Sequence, residues 1–222
     1  MKKILIILSL FILSGIVYGK EQVKKNKEDM LAYGGVLGIR NRETFKSLKP
    51  DTPNDEESMK DDWGISDRKS AIEVLDWLVN EGHRAEMDEV LNILREGKAN
   101  EYEGLEEAED LYKKCNNMLT ETFKMDKKIL DKVSIMAWDT DRLVNVARWC
   151  YYLKYIKEDE AWKYIEKAKN LAQGSFNSWE EYYASNVYGR ALAYSGAPQM
   201  LLNAGESLLK DKNSIWKRVK FK

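Results

Sequence analysis

Asp139, Asp141 and Arg142 fall within four residues of one another, and Trp179, Glu180, Tyr183 and Arg190 cluster farther along the chain. Two carboxylates flanking a cleft are the equipment of acid/base hydrolysis, one giving a proton and the other activating water or attacking. Glu180 with Asp139 or Asp141 would supply such a pair for a glycan or peptide bond, with aromatic rings as a sugar platform. The same residues fit recognition, because Trp, Tyr and Arg are the side chains that dominate binding hot spots. They also fit plain architecture: an aspartate at the head of a helix bonds the free N–H groups of its first turn, and tryptophans build cores.

The elements that must position these residues are helices. From Leu143 to Ile156 the chain is apolar on nearly all sides, the pattern of a central helix. Its polar positions Arg142, Asn145 and Arg148 recur every three residues, so they need interior partners or a solvent-filled cleft. Farther on, Ser178 with Glu181 three residues later marks a helix start. On that helix Trp179, Tyr183, Asn186 and Arg190 share one face, while Ser185, Gly189 and Ala193 make a small-residue face suited to close packing. If the small face packs on the central helix, the other borders a cleft shared with the 138–142 segment. The candidate binding set is then Trp138, Asp139, Arg142, Trp179, Glu180, Tyr183 and Arg190.

The remaining periodicity predicts helices over 24–40, 66–82, 87–97, 105–123, 158–171 and 198–209. The first should be weak or bent, because Gly34, Gly35 and Gly38 interrupt it. Ser66 is the expected N-cap of the second and Gly82 its stop, with His83 just beyond, either a lone general base or a residue satisfying helix-end carbonyls. Residues 49–62, with two prolines and a run of acids, read as a surface loop, and 215–222 as a basic tail that docks, touches an anionic surface or frays. No strand pattern and no nucleotide-binding glycine fingerprint occurs. The expected fold is all-α, one domain over 20–222 with seven or eight helices around a central buried one.

Composition narrows the chemistry. The 222 residues carry 36 Lys+Arg against 37 Asp+Glu, a formal charge of -1, so no whole-chain basic field draws in nucleic acid. One histidine and two cysteines are too few for histidine- or cysteine-rich zinc sites or iron–sulfur clusters, and no metal or cofactor is expected. Residues 1–19 have a Lys2-Lys3 start, an apolar stretch and small residues before Lys20, the zones of a secretory signal. Export to the periplasm or beyond follows, with no stable membrane span once the signal is cleaved. In an oxidising compartment Cys115 and Cys150 could pair or stay as buried thiols.

The set Ala137-Trp138-Asp139-Thr140-Asp141-Arg142, Ser178-Trp179-Glu180-Glu181-Tyr182 and Tyr188-Gly189-Arg190, with Trp63-Gly64-Ile65 and Glu81-Gly82-His83-Arg84, resembles the bacterial domain-of-unknown-function 1266 family. The likeness spans roughly Leu31 to Trp216, and an export signal is a departure from the usual member. The resemblance implies one helical domain and highlights Trp138, Asp139, Arg142, Trp179, Glu180, Gly189 and Arg190, but brings no reaction, cofactor or substrate. The leading expectation is a non-catalytic exported module that recognises a protein or envelope component. The alternatives are a carboxylate-dependent hydrolase of envelope glycan or peptide and an immunity-type protein that neutralises a toxin.

Overall fold

The computed structural model describes residues 27–194 and 199–222. The expected signal segment, and the expected start at Pro198 of the 198–209 helix, lie outside them. The described residues contain helices and no strand. A 3-10 segment Met30–Gly34 leads into α1 (Gly35–Arg40), followed by α2 (Glu56–Trp63), α3 (Arg68–Asn80), α4 (Arg84–Arg95) and α5 (Glu106–Asn117). Then come α6 (Met136–Tyr152), α7 (Glu158–Ser175), α8 (Trp179–Tyr194) and α9 (Gln199–Gly205), with single turns at Lys127–Leu130 and Ile215–Arg218. The broken first helix is as the glycines require.

Helix α6 is the axis of the fold: every residue from Ala137 to Cys150 is buried, and α3, α7, α8 and the 30–40 segment pack around it. It starts at Met136, earlier than the apolar pattern alone suggests. The small face of α8 lets the two helices nearly touch. A Cβ built on Gly189 would lie 2.3 Å from Cβ of Trp138 and 3.2 Å from Cβ of Ile135, atoms too close to the backbone to swing aside. Gly189→Ala should therefore cost about 2–3 kcal/mol through forced separation of the helices, read as a lowered urea midpoint.

Two expectations need correction. The 49–62 segment is a loop only as far as Asp55. Asp55 accepts a hydrogen bond from the Ser58 N–H at 2.8 Å, and Glu56 and Glu57 occupy the first turn of α2. The acid run is thus a helix N-terminus, where negative charge is favoured by the dipole. Asp67, not Ser66, caps α3, in a capping box with Ser70. Of the readings open for the 215–222 tail the structure takes docking, with a helical turn in place of a strand: Ile215, Trp216 and Phe221 are buried, while Lys217, Arg218, Lys220 and Lys222 point outward. Its alternation of apolar and basic residues is the signature of a docked amphipathic segment.

Trp216 stacks on Trp179 with ring centroids 4.7 Å apart and 8° between planes, and its Nε1–H donates to the Ala32 carbonyl at 2.7 Å. Trp179 donates in turn to the Val219 carbonyl at 2.9 Å. Cys115 and Cys150 are both buried free thiols, and burial pushes each up to about 12. They behave as small core residues.

Candidate functional site

The buried carboxylates of α6 do not cap their own helix. Residues 139 and 141 are two steps apart, about 200° around a helix, so they project to opposite sides. Asp139 Oδ1 accepts from the His83 N–H at 3.0 Å and Oδ2 from the Arg84 N–H at 3.1 Å, the first turn of α4. Asp141 accepts from the Val36 and Leu37 N–H groups, each at 2.9 Å, the first turn of α1. The debt is returned on the same helix pair, since Asp88 of α4 accepts from the Ile135 N–H at 2.7 Å at the start of α6. Ser185 of α8 accepts from the Ala137 N–H at 2.9 Å. None of the three N-cap positions Gly34, His83 and Ile135 has a side-chain cap of its own. The orphan amides that every helix start exposes are met here from other helices.

The two aspartates differ in their company. Asp139 also receives Arg84 Nη1 at 3.1 Å and Arg142 Nη2 at 2.7 Å, and Arg84 donates onward to the carbonyls of Leu78 and Val79 that end α3. Asp141 has no guanidinium hydrogen-bonded to it among the described residues, and burial pushes its carboxyl up to about 7 against the lowering pull of the Leu37 and Val36 amides. The polar seam of α6 finds interior partners at all three positions: Arg142 as above, Asn145 on the Gly34 carbonyl at 3.0 Å, and Arg148 in a buried pair with Glu43 at 2.7 Å.

His83 is drawn into this network, so it does not act as a helix-end residue satisfying carbonyls. Arg142 Nη2 lies 2.7 Å from its Nδ1. A guanidinium only donates, so Nδ1 is bare and the imidazole is neutral with its proton on Nε2. Burial, helped by the Arg142 charge, holds its pKa below the ordinary 6.5, against the opposing pull of Asp139 and Glu86. The unfolded chain therefore binds more protons than the native one just below pH 6.5, and this group's contribution to stability is lost as pH falls through that window. Asp141 works in the opposite sense: between 3.8 and about 7 the native state holds the extra proton, so stability falls as pH rises there. Because the chain has one histidine, its ring-proton NMR titration is unambiguous, and its midpoint should lie below 6.5.

Above this network is a cleft of about 500 Å³ walled by α1, α2, α6 and α8, with Arg40, Trp63, Trp138, Arg142, Arg190 and Tyr194 among its lining. The guanidinium of Arg142 sits over the Trp138 ring at 4.5 Å from its centroid and over Trp63 at 5.7 Å. That of Arg190 sits over Tyr194 at 4.8 Å and over Trp138 at 6.0 Å. The aromatic surface is already engaged by cations, which leaves a poor bed for a sugar ring.

Of the seven candidate residues, the structure brings Trp138, Arg142 and Arg190 together in the cleft, with Asp139 sealed behind them. Trp179 and Tyr183 lie elsewhere: Trp179 in the aromatic cluster with Trp216, and Tyr183 against Phe123 with its hydroxyl donating to the Leu201 carbonyl. Sharing a helix face is not sharing a pocket, since positions 179 and 190 are separated by about 16 Å of helix rise. Glu180 is exposed and does not line the cleft. It forms no acid/base pair with Asp139 or Asp141, whose oxygens are all hydrogen-bonded.

The family model described as "Protein of unknown function (DUF1266)" matches residues 58–221. The chain belongs to the DUF1266 family. The match begins later than the Leu31 expected from the resemblance and runs past Trp216, taking in most of the site but not Arg40. No curated protein and no solved structure matches this DUF1266 chain. The site residues missed by the candidate set are Arg40, Trp63, His83, Arg84 and Tyr194. A signal for two of them was present: Gly82 ends α3 at a φ of 62°, directly before His83-Arg84. A Cβ on Gly82 would fall 2.1 Å from Asp139 Oδ2, so glycine there serves both the turn and the carboxylate.

Proposed function

We propose that this DUF1266 chain is a non-catalytic, exported interaction module of the bacterial envelope, and that its partner, a protein or envelope component, docks at the cleft between α1, α2, α6 and α8. The observation that carries the reading is the state of Trp138, an indole at the cleft wall with two guanidinium groups over it. Arginine and tryptophan grouped around a recess are the anchors on which binding energy concentrates, and about 500 Å³ is ample for an inserted side chain. The buried acids behind the cleft are committed to holding helix starts and arginines, and both thiols sit in the core. That division of labour favours recognition over turnover.

The test is site-directed photocrosslinking in the host, with the crosslinking residue placed at Asn54 on the cleft wall and, as a control, at exposed Tyr102 outside it. A discrete adduct formed from position 54 alone, and lost when Arg190→Ala is added, is the expected result. Equal adducts from both positions, or an adduct indifferent to Arg190→Ala, would reject the cleft as the docking site.

A further inference from the structure

The wall of the cleft formed by α6 and α8 carries N–H donors that meet no acceptor. Arg190 makes no ion pair or hydrogen bond among the described residues, and its Nη1 is closed off from solvent without an acceptor. Trp138 Nε1, in the same wall, is equally closed off and unpartnered. Arg142 spends Nε on the Trp138 carbonyl and Nη2 on Asp139 and His83, which leaves Nη1 as its unengaged nitrogen. Arg40, exposed and without an ion pair, faces the same space. Resting on the binding reading above, we propose that the group recognised in this cleft is a carboxylate, carried by an acidic residue of the partner and taken by Arg40, Arg142 and Arg190.

A carboxylate is an acceptor-only, planar group that meets the guanidinium fork with two parallel hydrogen bonds. It supplies the acceptor that these donors lack. Electrostatics points the same way. Burial and the neighbouring Arg40 charge both lower the pKa of Arg190, and an anion bound between the two guanidiniums lessens their repulsion. The mouth decides between anions. Asp61 and Asp62 are exposed on the α2 wall, where they repel a dianionic phosphate or a polyphosphate strand more strongly than a single carboxylate. An acidic peptide segment can instead set its own lysines or amides against those two aspartates.

The experiment follows the arginine Nε–H and tryptophan indole N–H resonances of the purified chain by NMR while acetate, inorganic phosphate or sodium chloride is added at matched ionic strength. Acetate, a single carboxylate, should produce a saturable shift at Arg190 and Trp138 with at least tenfold higher affinity than chloride, and phosphate should do no better than chloride. Arg190→Gln should weaken acetate binding at least tenfold while leaving the circular dichroism spectrum unchanged, since this partly exposed side chain holds no hydrogen bond among the described residues. The absence of saturation, tighter binding of phosphate than of acetate, or an Arg190→Gln variant that binds as well as the parent would overturn the proposal. The crosslinking test separates this from the broader reading. An Arg190-dependent adduct without acetate binding removes the carboxylate and keeps the docking site, whereas acetate binding without any adduct removes the docking site.

Discussion

Asp139→Ala should destabilise the protein by about 3–5 kcal/mol, the range for removing one partner of a buried charge network. The carboxylate is wholly buried and accepts from two backbone amides and two guanidiniums. Its removal strands Arg142 in the interior and uncaps α4 at the point where α3 turns into it. Against a total stability of typically 5–15 kcal/mol, the variant should show a urea midpoint far below that of the parent. Asp139→Asn keeps the size and one acceptor yet still leaves two arginines without a counter-charge, so it should recover only part of the loss. The loss of the Asp139 charge also removes one of the influences that raise the pKa of His83, so its NMR titration should move still lower in the folded Asn variant. The contrasting control is Glu180→Ala: an exposed side chain away from the cleft should change stability by less than about 0.5 kcal/mol. A wild-type urea curve for Asp139→Ala would show that the helix starts do not depend on this carboxylate.

Trp216→Ala should cost a similar amount, about 3–5 kcal/mol, as large-to-small substitutions of buried tryptophan do. The indole stacks on Trp179, meets Tyr182 edge-on at 6.0 Å, and donates to the Ala32 carbonyl. Gly35 is pressed against it, since a Cβ there would lie 2.8 Å from Trp216 Nε1. Losing the ring opens a cavity between the last turn of the chain and its first described helix. Phe221 should loosen with it, because Phe221 packs on Trp179 at 4.8 Å and its carbonyl accepts from Tyr33 and Gln173. Amide hydrogen exchange over 30–37 and 214–221 should rise together. Unchanged protection in both segments would mean that the tail is an appendage.

Much of the architecture is legible in local pattern. The all-round apolar stretch after Arg142 marks the central helix because a helix without a polar face has nowhere to go but inside. Gly82 and Gly97 mark helix ends, and both have positive φ in the structure. Ser185 and Gly189 mark the helix contact, because only small residues allow that approach. The polar triplet Arg142, Asn145 and Arg148 announces that partners must exist, without naming them. Where local pattern misleads, the reason is a competing local rule: the acids at 55–57 read as solvated loop when they head α2, and Ser66 reads as the cap that Asp67 supplies.

The site is the harder case. Its most informative contacts join Asp139 to His83 and Arg84, Asp141 to Val36 and Leu37, and Asp88 to Ile135, with 47 to 105 residues between partners. A helix start with a capping residue beside it is visible in sequence, as at Ser178 ahead of α8. One whose cap comes from another helix is not, because the requirement for an acceptor is local while the source of that acceptor is set by packing. The same holds for the cleft, where Trp138 and Arg142 of α6 become a binding wall only because α1, α2 and α8 bring Arg40, Trp63 and Arg190 alongside. Sequence alone therefore determined the helical class, the buried axis and the residue types with unmet bonding needs. The tertiary structure decided which of those needs are met inside and which are left facing the cleft, since close packing of helices distant in sequence assigns each buried donor its acceptor.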